Sequence, residues 1–336
     1  MTQLLSIVMP AYNASDYIAE AIGSVLDQTY SDWELVVVDD CSTDNTCDIV
    51  KDIAAHDRRL RLVERASNSG SAFMPRLEAV KRANGNYVVE LDSDDRLEHD
   101  YLQKIAGKIE ETGADAVFGN TVFIYPDGHQ SALLTEFDRN AVVKGRTHVR
   151  HTLDGWSDGC WGAIRRSLYL EASKHPDLNR LAMSADEFLI RAILTMAGSV
   201  AFFESTYYYR IHPLSITRRE HPRIFDVIDT DIRLKRLIYS IYPPKSEERK
   251  LINRQLTANL WAYLRTYSTF AFTSESDRKK AYRLIKDAYS NADIAGARQR
   301  IGTLRTCAMM LGVDSVITMH KLLASLGKRQ QLQKHP

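Results

Sequence analysis

Three carboxylates fall within four residues in the stretch 88–97, VVELDSDDRL: Asp92, Asp94 and Asp95, directly after a β-branched run. Carboxylates that close repel one another, and a turn does not require three of them. A calcium loop of the EF-hand kind would need Gly at its sixth position and Glu at its twelfth, where Leu97 and Gln103 stand. Two readings remain. One is a solvated turn; the other is a divalent cation held by one or two carboxylates together with the oxygens of a diphosphate, as hard cations prefer. Such a cation would neutralise the charge that builds on a departing diphosphate. A second acid pair, Asp39-Asp40, ends the apolar run ELVVV at 34–38. These acids either offset a helix dipole or accept from a base N–H or a ribose hydroxyl. Neither GxGxxG nor a P-loop pattern occurs, and Asn68-Ser69-Gly70-Ser71 is too short to replace them. A nucleotide bound here must be held by metal and basic side chains, which points away from dinucleotide enzymes and P-loop kinases.

The elements around these acids set their position. Residues 4–9 (LLSIVM) and 34–38 read as buried strands, 60–64 as a short strand, and 86–91 as another. Between them, 14–30 has apolar residues at helical spacing, with Ser15 as its expected N-cap. Ser42, Thr43 and Asp44 provide caps for a helix over 45–55, and 72–83 reads as a third helix. Apolar strands alternating with helices predict an α/β domain with a Rossmann-like, mostly parallel sheet covered on both faces. Ligands of such sheets bind beyond the C-terminal strand ends, where both acid clusters lie. Past residue 100 the pattern is mixed: 101–112 and 185–196 helical, 116–125 and 200–211 extended. From 224 onward it is helical, broken at Pro243-Pro244 and at 272–274.

Apolar content of 44% and charged content of 26% are those of a globular chain with a substantial core. A net charge of +1 argues against a nucleic-acid partner. Cys41, Cys47, Cys160 and Cys307 form no metal-finger spacing, so reduced thiols and a cytoplasmic location are expected. The N-terminal MTQLLSIVMPAYN lacks the basic lead of a signal peptide, and 307–319 is too short, and carries Asp314, to span a bilayer.

Ser6-Ile7-Val8-Met9-Pro10-Ala11-Tyr12-Asn13, Val38-Asp39-Asp40-Cys41-Ser42-Thr43-Asp44 and Leu91-Asp92-Ser93-Asp94-Asp95 resemble, in order and spacing, the signatures of family 2 glycosyltransferases. The resemblance is dense over residues 1–100 and continues more thinly to Thr217. It implies the GT-A fold, inversion at the anomeric carbon, and activity of the bacterial polysaccharide or lipopolysaccharide type. It also implies a nucleotide-sugar donor, UDP-linked by preference, with Mn2+ or Mg2+. On this resemblance Pro10, Ala11, Tyr12 and Asn13 lie along the nucleoside, and Asp40, with Asp39 beside it, binds the uracil. Arg76 matches the arginine after the family's Asn-x-Gly turn, although Pro75 and Leu77 depart from the pattern. Asp92, Ser93 and Asp94 are placed at the nucleotide, and Asp94 and Asp95 at the metal. Asp186 and Glu187 match the acidic motif that supplies the general base, with Asp186 the first choice. At a helix N-terminus the dipole would lower the pKa of such a base. The segment 209–217 resembles the family's lid, so His212 would complete the metal's coordination. Arg210, Arg218 and Arg219 would meet the diphosphate. Trp156 and Trp161, either core or acceptor wall, would offer aromatic faces to a sugar acceptor.

The tail from Arg298 is basic and amphipathic, with Asp314 its only acid. It either packs on this domain or on a second subunit, or it lies on an anionic membrane. The division expected is a GT-A domain at 1–220, with a nucleotide-sugar half at 1–100 and an acceptor half at 101–220, then a helical region at 221–336. The expected activity is hexosyl transfer to a hydroxyl of a glycan or lipid-linked acceptor. It would take place in the cytoplasm, at the inner membrane face if the tail binds lipid. The rivals are a receiver-like signalling domain, which shares the strand-end acid pair, and a non-catalytic relative that binds nucleotide-sugars.

Overall fold

The structure, a computed structural model, describes residues 3–133, 138–153, 155, 161–211, 221–296 and 298–332. The chain divides into two units. The first comprises Met1–Thr152, Trp156–Asn179 and Ala185–Arg219; the second comprises Leu153–Gly155, Arg180–Ser184 and Glu220–Pro336.

The first unit is built on β1 (Leu5–Ala11), β2 (Trp33–Asp39), β3 (Leu60–Glu64) and β4 (Tyr87–Glu90). Every residue of β1 and β2 is buried, as expected of apolar runs covered on both faces. They pair in parallel from Leu5 with Trp33 to Ala11 with Asp39, so both chains leave the sheet at one edge. Helices α1 (Ile18–Leu26), α2 (Thr46–Ala54) and α3 (Phe73–Arg82) make the crossovers. The remaining elements are β5 (Arg96–Leu97), α4 (Tyr101–Thr112), β6 (Ala116–Ile124), β7 (Gln130–Leu133), β8 (Val142–Val143), α5 (Gly145–His148), β9 (Gly162–Arg165), α6 (Arg166–Ala172), α7 (Ala185–Met196) and β10 (Val200–Arg210). Among the described residues they form one ten-stranded sheet with the path β3-β2-β1-β4-β9-β6-β10-β5.

The mostly parallel expectation holds for β3-β2-β1-β4 and for β6 with β10. Elsewhere the sheet is mixed, because β9 enters antiparallel between β4 and β6. Gly162 permits this entry: a Cβ there would lie 1.9 Å from the Val117 carbonyl oxygen. The helix expected over 14–30 is shorter. The Ala14 N–H donates to Thr46 Oγ1 at 2.8 Å and the Ser15 N–H to Asp44 Oδ2 at 3.1 Å. These bonds to the next loop hold the segment outside the helix, so Ser15 is not its cap.

The second unit contains α8 (Val227–Ile241), α9 (Glu247–Thr269), α10 (Glu275–Asn291), α11 (Arg298–Ile301), α12 (Thr303–Met310) and α13 (Val313–Leu332). Ser246 and Ser274 cap α9 and α10 through their side chains, just after the breaks read from the sequence. Its core gathers Phe225, Ile228, Leu256, Leu260, Ile285 and Met309.

Gly162→Ala is expected to destabilise the protein by about 3 kcal/mol or more, because backbone rather than a side-chain tip occupies the space. Chemical denaturation of the variant beside the parent checks this.

Candidate functional site

The ends of β1 and β2 carry two non-glycine residues at positive φ, Asn13 at 49° and Cys41 at 66°. Such backbone persists where surrounding bonds over-determine it. Asn13 Oδ1 accepts from the Thr43 N–H at 2.8 Å, and the Asn13 N–H donates to Ser42 Oγ at 2.9 Å. Asp39 accepts from both the N–H and the hydroxyl of Ser42, which fixes the loop. Asp40 accepts from Arg65 at 2.6 Å and from the Ser69 N–H and hydroxyl at 2.9 and 2.8 Å. Asp44 makes the helix-start contact, accepting from the Thr46 N–H at 3.0 Å, so the dipole of α2 leaves Asp39 and Asp40 without a capping role. Pro10 and Ala11 are buried in β1, while Tyr12 stands 49% exposed beyond it.

Beyond β4 the chain turns, with the Asp95 N–H donating to the Asp92 carbonyl at 3.1 Å. Ser93 and Asp94 form the half-exposed crest of this turn. Asp95 is buried and accepts from the Tyr207 hydroxyl at 2.7 Å and the Arg210 N–H at 2.8 Å. Burial, then the fields of Asp94 and Asp92, push its carboxyl well above the usual range. Arg210 braces the turn. Its Nε donates to the Asp94 carbonyl at 3.0 Å and its terminal nitrogen to Glu20 at 2.5 Å, so its guanidinium is already engaged where a diphosphate contact was expected. Trp161 lies 5.6 Å from Tyr207 and 5.9 Å from Tyr209, centroid to centroid. Tyr209 itself has its phenol pushed up by burial and by Asp95, Asp92 and Asp94.

Among the described residues, the buried cation that pairs with this acid cluster is Arg76. Arg76 is 4% exposed, pairs with Asp92 at 2.5 Å and approaches Glu90 at 3.8 Å. Burial works against its charge, but the fields of Asp92, Glu90, Tyr169 and Asp186 hold it fully protonated. Tyr169 donates to Glu90 at 2.6 Å. The first turn of α7 brings Asp186 into the same field. Its side chain is exposed to water at the start of the helix. Lost hydration raises its carboxyl above the usual value; Arg76 opposes this, while Glu187 and Asp92 add to it. The dipole argument gave the opposite sign: desolvation outweighs the helix terminus here. Glu187 is paired with Arg191 at 2.9 Å, and Arg191 is buried and also donates to the Thr152 carbonyl.

Thus Asp92, Arg76 and Asp186 share one field, next to the turn carrying Asp94 and Asp95, and Asp39 and Asp40 lie at the end of β2, with β1 between it and β4. His212, Arg218, Arg219 and Trp156 lie outside the described residues. Among the described residues no three metal-ligating side chains converge. Asp94 and Asp95 supply the hard oxygen donors that suit Mg2+ or Mn2+, and a carboxyl pushed up by burial and then by its like-charged neighbours fits a cation beside it. Glu90, Tyr169, Tyr207, Tyr209, Arg65 and Ser69 were not singled out from the sequence. Glu90 was visible as the one acid in an apolar run, and Tyr207 and Tyr209 as alternate residues of one strand; Tyr169 carries no local signal.

Residues 6–170 match the model of glycosyl transferase family 2. This stretch of the chain belongs to that family. Among curated members, the putative teichuronic acid biosynthesis glycosyltransferase TuaG of Bacillus subtilis is 48% identical over 101 residues, 30% of this chain and 40% of that one. The poly(ribitol-phosphate) beta-N-acetylglucosaminyltransferase TarS of Staphylococcus aureus is 37% identical over 114 residues, 33% of this chain and 20% of that one. These matches therefore span less than half of each relative's length. The crystal structure of S. aureus TarS 1–349 in complex with UDP-GlcNAc superposes with a TM-score of 0.69 at 18% identity, covering 97% of this chain and 91% of that one. A mannosyltransferase from Pyrobaculum calidifontis, in complex with GDP-Man and Mn2+, gives 0.53 at 16% identity, covering 100% and 89%. The fold is that of the GT-A glycosyltransferases, with a helical C-terminal region.

The raised carboxyl of Asp186 has a stability consequence. The fold disfavours its charge, so stability falls as pH climbs from the ordinary carboxylate range through the raised value, and the loss is complete above it. Asp186→Asn is expected to melt higher than the parent at neutral pH, with the difference vanishing below the ordinary carboxylate range. Thermal melts across pH check this.

Proposed function

We propose that this chain transfers a sugar from a nucleoside-diphosphate sugar, UDP-linked by preference, to a hydroxyl of a glycan or lipid-linked acceptor in cell-surface polysaccharide synthesis. Family membership supports the reaction class. The activities in the names of TuaG and TarS, and the UDP-GlcNAc bound to TarS, support the donor and the pathway type.

The observation that carries the mechanism is Asp186, a water-accessible carboxylate in the same field as Arg76 and Asp92. Asp186 accepts the proton of the acceptor hydroxyl, whose oxygen attacks the anomeric carbon from the far face. The bond from that carbon to the diphosphate oxygen breaks, inverting the centre, and the nucleoside diphosphate departs. A raised pKa makes Asp186 a better proton acceptor than an ordinary aspartate, at the expense of being ionised over a narrower range of pH. Glu187, neutralised by Arg191, sets the helix end in place. Tyr12, Asn13, Asp39 and Asp40, on the rigid loops after β1 and β2, hold the nucleoside, with Pro10 and Ala11 as their strand support. Arg76 holds Asp92 in position for the ribose and keeps the acids from expelling one another. A divalent cation held by Asp94 and Asp95 would offset the charge on the departing diphosphate. Trp161, with Tyr207 and Tyr209, gives an aromatic wall suited to a sugar face.

Asp186→Asn is expected to lower kcat by about 10²–10⁴-fold while UDP with Mn2+ still raises Tm. Undiminished turnover in this variant would remove Asp186 from the mechanism. A parent chain that UDP with Mn2+ stabilises, but that turns over no UDP- or GDP-sugar, would favour a binding-only relative.

Arg76→Leu is expected to cost about 2 kcal/mol or more, because Asp92 and Glu90 lose their buried counter-charge. It should also weaken UDP binding; unchanged stability on denaturation would show that these acids have another partner.

A further inference from the structure

The last helices of the second unit turn apolar side chains to water. In α12 the inward residues are Thr306 and Met309. At 3.6 residues per turn, Leu304, Cys307 and Leu311 fall on the opposite side. Leu304 is 87% exposed and Leu311 73%, with Met310 beside them at 58%. In α13, Val313, Val316 and Ile317 face inward; Leu323, two turns on from Val316 along the same stripe, is 57% exposed. A helix packed on a core normally carries charged and polar residues on its outer face. On α12 that face is apolar, and exposed apolar groups gathered on one helix face mark an interaction surface.

The exposed charge carried by these last three helices is mainly basic. Arg298, Arg305 and Lys321 are exposed on α11, α12 and α13. From 298 to 332 the only acid is Asp314, whose carboxylate accepts from the Tyr282 hydroxyl at 2.7 Å. A partner for this surface must offer apolar and anionic groups together. We propose that it docks on an anionic phospholipid bilayer, with Leu304, Met310 and Leu311 entering the headgroup boundary and the three cations meeting lipid phosphates. A second copy of the chain seated here about a twofold axis would set the same cations against themselves. Among the described residues no helix is long and apolar enough to cross a membrane, so the contact lies along the surface. The inference does not depend on which sugar, if any, the first unit transfers.

Flotation of the full chain tests it, using vesicles of phosphatidylcholine alone and of phosphatidylcholine mixed with phosphatidylglycerol. The protein is expected to float with the mixed vesicles only and to be released by high salt. The double variant Leu304→Glu/Leu311→Glu should bind at least about tenfold more weakly with an unchanged circular dichroism spectrum, and Lys321→Glu should bind more weakly at low salt. The proposal is overturned if the parent does not float with mixed vesicles or if the double variant floats equally well. It is also overturned if light scattering finds a dimer that the double variant converts to monomer, while neither protein binds vesicles.

Discussion

Like charges that cannot move apart must be given something to share. In the first unit, Asp92, Asp94 and Asp95 follow a strand that ends on Glu90, and Asp186 joins their field from α7. One buried guanidinium, that of Arg76, pairs with Asp92 and stands near Glu90. Much of the local architecture serves this arrangement. The antiparallel entry of β9 places α6, and with it Tyr169, against Glu90. The end of β10 brings Tyr207 and the Arg210 N–H to the two oxygens of Asp95. The charge that Arg76 leaves over is carried by carboxylates whose pKa is raised, a state that suits a cation arriving with a diphosphate.

The two acid clusters solve different problems. Asp39 and Asp40 are held in place by Ser42, Arg65 and Ser69 and define a rigid loop surface. The acidic turn and Asp186 crowd carboxyl groups together, and the fold disfavours the charged forms of Asp95 and Asp186. Rigid recognition on one side and stored electrostatic strain on the other is the division expected where binding and group transfer share a site.

Much of this was legible in the sequence because it is local. The helices at 101–112 and 185–196 were read with the bounds of α4 and α7, since amphipathic spacing declares such helices, joined in α7 by the first-turn acids Asp186 and Glu187. The strand ends carrying both acid clusters followed from apolar runs. What could not be read depends on partners distant in sequence. Residues 14–17 have helical spacing but are claimed by Asp44 and Thr46 of another loop. The antiparallel insertion of β9 rests on a close approach at Gly162 that no periodicity records. Arg76 reads as one more helical arginine until Asp92 and Glu90 surround it. For Asp186 the helix dipole suggested a lowered pKa; lost hydration, with the charges of Glu187 and Asp92, raises it against the opposing field of Arg76.

The central claim is that the acidic turn is half of a cation site completed by a nucleoside diphosphate. Isothermal titration of UDP, with and without Mn2+, into the parent and Asp95→Asn measures this directly. The account predicts that Mn2+ tightens UDP binding to the parent by about tenfold or more, and that the gain is lost in Asp95→Asn. Equal UDP affinity with and without the metal, in a parent that binds UDP, would contradict it.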